Sequence, residues 1–215
     1  MIKGMKTMNE ELLMYIQTNI IPRYHKVDKA HDVNHIRHVI RNCMYIAKEY
    51  DVDKNILYTA AAYHDLGLEV ERERHEVFSR DMMCRDKRLD DFFNQEEKDL
   101  IADAILTHRA SSKAAPKTIY GKILADADRD LVPVRIIERT ILYSLEKFPN
   151  SSRTSHFMTI KDHIAAKYGP DGYVKLWLDT QRNNKGLKMI RTLMSDESRF
   201  ERVFDYYFDK HTNDG

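Results

Sequence analysis

Little in this chain punctuates or cross-links it. Its 215 residues hold two cysteines, Cys43 and Cys84, far apart and without CxxC spacing, which argues against a disulfide framework or a cysteine-built zinc cluster and suits a reducing interior. Seven glycines and five prolines impose few turns. No stretch approaches the roughly 20 apolar residues of a membrane span, and the opening "MIKGMKTMNEELLMYIQ" lacks the continuous apolar core of a secretory signal. Cytoplasm is the expected compartment. An excess of one charge is missing too: 35 basic against 34 acidic residues leave a formal net charge of +1. No global field draws the protein to nucleic acid or a membrane, so the expected partner is a small anion recognised locally. Nothing in the composition fixes the oligomeric state.

What is present is helical periodicity and histidine. Apolar content of 42% supports one sizeable core, and the expectation is a single all-α domain over 1–215. From Asn34 to Tyr50, Ile36, Val39, Ile40, Cys43, Ala47 and Tyr50 recur at i, i+3, i+4 and i+7 behind Asp32, a suitable N-cap. Asp53 would cap the next helix, through Ile56, Leu57, Ala60 and Ala61. A helix is expected to begin near His75. Another follows Asn94, with Leu100, Ile101, Ala104, Ile105 and His108 along one face and acidic residues in its first turn. Thr118 to about Asp130 reads as helix, "SSKAAPK" as loop. Beyond Pro133 come four more helices, broken at "FPNSS", "YGPDG" and Met194-Ser195. No repeat and no strand is expected.

The stretch Tyr63-His64-Asp65-Leu66-Gly67 follows the small apolar run "TAAA", at the end of what reads as a buried helix. Two adjacent ionisable groups are costly there unless each has a partner or both hold a metal. Other helix ends carry similar chemistry: His35 opens one in "HDVNHIRHV", His75 lies in "RERHEVFS", His108 ends "IADAILTH", and Asp126, Asp128 and Asp130 punctuate "KILADADRDL". Taken singly, each reads as a capping or solvated residue.

The ordered set His, His-Asp, Asp over roughly Asn34 to Leu131 resembles the HD-domain superfamily of metal-dependent phosphohydrolases. The resemblance implies an all-helical bundle, with a metal-binding core at about 31–131 and a helical elaboration at about 132–211. It implies that His35, His64, Asp65 and Asp128 hold one divalent metal, with Asp65 central to catalysis. It also implies a second ion at His75 and His108, bridged by Asp65. Residues two apart on a helix diverge by about 200°, so only one of Asp126 and Asp128 faces the metal; "ADR" favours Asp128. His38 stands where the family commonly has arginine. Leu68 replaces the lysine that many phosphodiesterase relatives carry, and the glutamate-aspartate pair of alarmone hydrolases is absent. The "YGP" at Tyr168 to Pro170 is a helix stop rather than a cyclic-dinucleotide signature.

Nitrogen and carboxylate ligands without thiolates favour a catalytic site over a closed structural one and suit manganese, iron, cobalt, nickel, magnesium or zinc. The expected reaction is hydrolysis of a phosphate ester or anhydride in a small metabolite, a nucleotide by preference. Arg109 and Arg129, each directly after a candidate ligand, are the first choices for a phosphate clamp, with Arg72, Arg74, Lys113 and Lys117 nearby. Two alternatives are an HD-type di-iron oxygenase and a non-catalytic effector-binding HD module. The aromatic stripe of Tyr173, Trp177, Phe200, Phe204, Tyr206, Tyr207 and Phe208 reads first as core.

Overall fold

The computed structural model describes residues 7–27, 31–110 and 115–213. Among the described residues it contains ten α-helices and no strand, the expected all-α class. Contacts divide the chain into two compact units, Met1–Arg129 and Asp130–Gly215.

In the first unit, α1 (Glu10–Tyr15) starts where the Asn9 side chain accepts from the backbone N–H groups of Glu11 and Leu12. A π turn (Ile16–Ile20) and a 3-10 turn (Ile21–Lys26) carry the chain onward. Helix α2 (Val33–Ile46) is capped by Asp32, whose carboxylate accepts from Asn34 N and His35 N. Its buried face repeats at Ile36, Val39, Cys43 and Ile46, close to the expected pattern. The α-helix stops at Ile46 rather than Tyr50, because a 3-10 turn (Ala47–Glu49) and extended Tyr50 lead the chain to the next cap at Asp53.

Helix α3 (Lys54–Tyr63) is buried at every position from Asn55 onward. It is the centre of this unit, touching α2, α4 (His75–Arg85), α5 (Gln95–Thr107) and α6 (Ile119–Asp128). Alanines at 60, 61 and 62 present little bulk, so neighbouring helices approach closely. Asn94 and Glu97 form a reciprocal capping box at the start of α5, and Thr118 caps α6. Three of these helices end at chemistry: α3 at His64, α5 at His108 and α6 at Asp128.

The second unit packs α7 (Pro133–Lys147), α8 (Arg153–Tyr168), α9 (Gln181–Ser195) and α10 (Glu197–Asn213) around Ile137, Ile141, Ile160, Ile164, Phe200 and Phe204. Helices α7, α8 and α9 end at the three breaks expected from the sequence, and Pro133 opens α7 where its missing N–H costs nothing. Arg191 donates to the carbonyls of Tyr168 and Gly169 at 3.1 Å each, satisfying the end of α8. Phe200 and Phe204 are core, as the stripe implied, whereas Tyr173 and Tyr206 are exposed.

Candidate metal centre

Residues far apart in sequence converge at the ends of α2, α3, α4, α5 and α6. His35 sits in the first turn of α2, fixed there by the Asp32 cap. His64 and Asp65 follow α3, where a 3-10 turn (Leu66–Glu69) redirects the chain. His75 opens α4, His108 follows α5 and Asp128 closes α6. His64 and His108 are almost wholly buried, at 0% and 1% exposure. That burial is costly for imidazoles without a function or a partner.

The six residues form two groups that share one carboxylate. In the first, His35 Nε2 lies 3.2 Å from Asp128 Oδ1 and 3.6 Å from Asp65 Oδ2. His64 Nε2 lies 3.2 Å from Asp65 Oδ2 and 3.6 Å from Asp128 Oδ1. In the second, Asp65 Oδ1 lies 3.2 Å from His75 Nε2 and 3.4 Å from His108 Nε2, and the two nitrogens are 3.3 Å apart. Asp65 therefore turns Oδ2 toward one group and Oδ1 toward the other. Asp126 belongs to neither group, although it is fully buried.

These separations suit ions. Ligands at about 2.1 Å from a metal are separated from one another by about 3.0 Å in an octahedron and about 3.4 Å in a tetrahedron. Despite the short contacts, the buried Nε2 atoms of His35 and His64 make no hydrogen bond of regular geometry. A buried nitrogen without a hydrogen bond normally carries a penalty, and a cation is the partner that a converging set of nitrogens and carboxylates would accept.

Three rings share a further device. His64 Nδ1 donates to Ala61 O at 2.8 Å, His75 Nδ1 to Arg72 O at 2.9 Å and His108 Nδ1 to Ile105 O at 2.6 Å, each to the carbonyl three residues earlier. A carbonyl only accepts, so Nδ1 carries a proton, and the ring in its neutral form offers its Nε2 lone pair inward. The chain thus sets the tautomer that metal ligation requires.

Electrostatics bind the set together. Burial opposes charge on Asp65, yet the surrounding His64, His108 and His35 hold it well below the usual carboxylate range. Asp128 is likewise depressed by His35 and His64 against the cost of burial. Burial alone would lower His64, but Asp65 and Asp128 hold it well above the ordinary imidazole value; Asp65 similarly raises His75.

Of the candidate phosphate clamps, Arg109 donates to the Glu73 carbonyl and, at 3.1 Å, to Glu76 Oε2. Arg129 is buried and donates to Ala125 O. Arg74 pairs with Glu71 at the surface. Lys113 lies outside the described residues.

The sequence reading passed over two residues. Asn42 lies on the buried face of α2 and donates through Nδ2 to Ala127 O at 3.0 Å, tying the helix of His35 to the carbonyl beside Asp128. Its signal was a polar side chain seven residues after His35, on the same apolar face. Gly67 receives α4 at very close range, and its signal was a glycine two residues after the doublet.

An all-helical unit whose helix ends converge on His and Asp ligands defines a class of candidate metalloproteins. Residues 32–131 match the family model of the HD domain, and with the all-helical fold this supports an HD domain over that part of the chain, a domain typical of metal-dependent phosphohydrolases. A crystal structure of a protein from Lactobacillus plantarum matches with a TM-score of 0.62 at 19% identity, covering 93% of this chain and 97% of that one. At that identity the likeness speaks for the fold. No curated protein matches the sequence.

Proposed function

We propose that this protein is a metal-dependent hydrolase of a phosphate ester or anhydride in a small cytoplasmic metabolite, with nucleotides the preferred class. The observation that carries the reading is the shared carboxylate: the two oxygens of Asp65 face two separate ligand groups. His35, His64, Asp65 and Asp128 would hold one divalent ion, and Asp65, His75 and His108 a second. Bound ions would lower the pKa of coordinated water from about 15.7 toward 7 and neutralise charge developing on a phosphoryl oxygen.

The chain's own contribution is positioning. Carbonyl bonds fix three imidazoles in the ligating tautomer, and burial of Asp65 and His64 removes competing water. Two His and two Asp leave coordination positions for water and a phosphate oxygen. A phosphate contact from Arg109 would require exchange of the Glu76 carboxylate for phosphate, two anions that suit the same guanidinium fork.

The test is phosphate release from a panel of nucleotides and sugar phosphates by protein reconstituted with manganese, iron or cobalt. Release is expected from at least one nucleotide and should vanish in Asp65→Ala while helical circular dichroism persists. Release that survives this substitution refutes the assignment. Oxygen uptake by iron-loaded protein without phosphate release would move the site to a di-iron oxygenase, and nucleotide binding without turnover would favour an effector-binding module.

A further inference from the structure

We infer that Gly67 and Ser79 are positioning residues that set the distance between the two ligand groups, by fixing the first turn of α4 against the turn that follows Asp65. The inference rests on the two-ion reading of the site and goes beyond it by assigning the second position to a packing contact outside the ligands.

Gly67 needs no left-handed backbone, since no described glycine has a positive φ. What it supplies is space. A Cβ built there would lie 2.0 Å from His75 O, 2.8 Å from His75 C and 2.8 Å from Ser79 N. All three are backbone atoms of α4, so no side-chain rotation relieves the clash and the start of the helix has to shift.

The contact is also a hydrogen bond. The fully buried Ser79 hydroxyl accepts from Gly67 N at 2.8 Å, one turn along from His75. The chain between Asp65 and His75 is thereby closed into a loop clamped at its base. His75 both belongs to the clamped helical turn and places its Nε2 3.2 Å from Asp65 Oδ1.

Three of the candidate ligands are held on elements other than α4 and the turn after Asp65. His35 and Asp128 are set by α2 and α6, and His64 by α3. A displacement of α4 by about 1.4 Å, the least that would bring the added Cβ from 2.0 Å to an ordinary 3.4 Å contact with His75 O, separates His75 from Asp65 and leaves the first group in place. A misplacement of that size is large against ligand bonds of about 2.1 Å.

The experiment compares manganese stoichiometry and affinity in wild-type protein, Gly67→Ala, Ser79→Ala and the reference variant His75→Ala, with electron paramagnetic resonance to separate coupled from isolated ions. Wild type is expected to bind two coupled ions and His75→Ala one. Gly67→Ala should bind one, with the spectrum of an isolated ion and unchanged affinity at the first position. Ser79→Ala, the milder change, should keep both but weaken the second about tenfold, the lower end of the effect of a residue that supports a ligand.

Retention of two coupled ions at wild-type affinity in both Gly67→Ala and Ser79→Ala overturns the inference while leaving the two-ion reading intact. Parallel loss of both ions and of helix content overturns it as well, because Gly67 and Ser79 would then support the whole unit rather than one position. If wild type and His75→Ala both bind a single ion, the two-ion reading fails first and the inference with it.

Discussion

Buried histidines in the two units of this protein are treated differently. His156 in the second unit is 2% exposed, and its Nδ1 sits 2.7 Å from the Ser144 hydroxyl, also buried, with Phe208 against its ring. Its Nδ1 finds a partner in the chain, and its Nε2 is not among the buried atoms left without one. His64 in the first unit is buried at least as deeply, yet only Nδ1 finds a hydrogen bond; Nε2 meets carboxylates at close range without one. Of these two histidines, the one packed into the second core keeps no buried nitrogen unpaired, whereas the one at the candidate site turns a buried Nε2 toward carboxylates as though for something that the chain does not supply.

The hardest break of this contrast is Asp65→Asn. The amide keeps the shape and one oxygen but loses the charge and the second acceptor, so it cannot serve both groups. Activity is expected to fall at least about 10³-fold, a barrier increase of several kcal/mol that corresponds to loss of the metal contribution. Elemental analysis should find the second ion gone. Retention of two ions by this variant would show that Asp65 is not the shared ligand.

Phe204→Ala tests the other side. Phe204 is fully buried and packs against Phe157 and Phe208 with ring centroids 5.1 and 5.2 Å away. Truncation should cost about 3–5 kcal/mol of stability, read as a lower urea midpoint, while folded protein keeps its metal stoichiometry. Loss of metal from folded Phe204→Ala would abolish the division between a chemical and a structural unit.

The pH dependence sharpens the comparison. In metal-free protein, Asp65 and Asp128 have lowered pKa values and contribute stability above about pH 4, lost as pH falls through their depressed values. His64 and His75 have raised values. Their contribution is complete below about 6.5 and is lost as pH rises through the raised values. Metal and proton compete for the same Nε2 atoms, so stabilisation by metal should grow over the range in which the protonated site weakens. Melting temperatures with and without chelator from pH 5 to 9 should diverge as pH rises; curves that stay parallel would mean that these imidazoles do not bind the ion.

Much of this was legible in the sequence because both the fold and the candidate ligands depend on local signals. Caps at Asp32, Asp53 and Asn94 lie where the sequence placed them, Thr118 caps α6 at its expected start, and four candidate ligands, His35, His64, His108 and Asp128, stand near where those helices begin or end. The choice of Asp128 over Asp126 followed from helical rotation and its "ADR" setting, and the geometry brings Asp128 to the cluster. What could not be read depends on contacts between helices. The hydrogen bond of Asn42 to Ala127 O spans 85 positions, and the Gly67 contact exists only after α4 has folded back. The engagement of Arg109 by Glu76 is equally non-local, since 33 residues separate them.

The smallest effect belongs to Glu138→Gln in the second unit, the same carboxylate-to-amide change as Asp65→Asn. Glu138 Oε1 accepts from Lys210 at 2.9 Å and from His211 at 3.0 Å. Burial works against its charge, and Lys210 and His211 more than compensate, so its pKa is lowered. Nearly half of the Lys210 side chain is exposed, however, and water and salt screen such a pair. The expected cost is at most about 1 kcal/mol, diminishing as ionic strength rises, with no effect on metal content or phosphate release. Equal geometry on paper thus gives unequal consequences: near Glu138 the solvent replaces the missing charge, whereas beside Asp65 neither water nor another side chain stands ready to do so. A Glu138→Gln protein destabilised as strongly as Phe204→Ala would place a buried electrostatic network in the second unit and remove the contrast between the two halves of the chain.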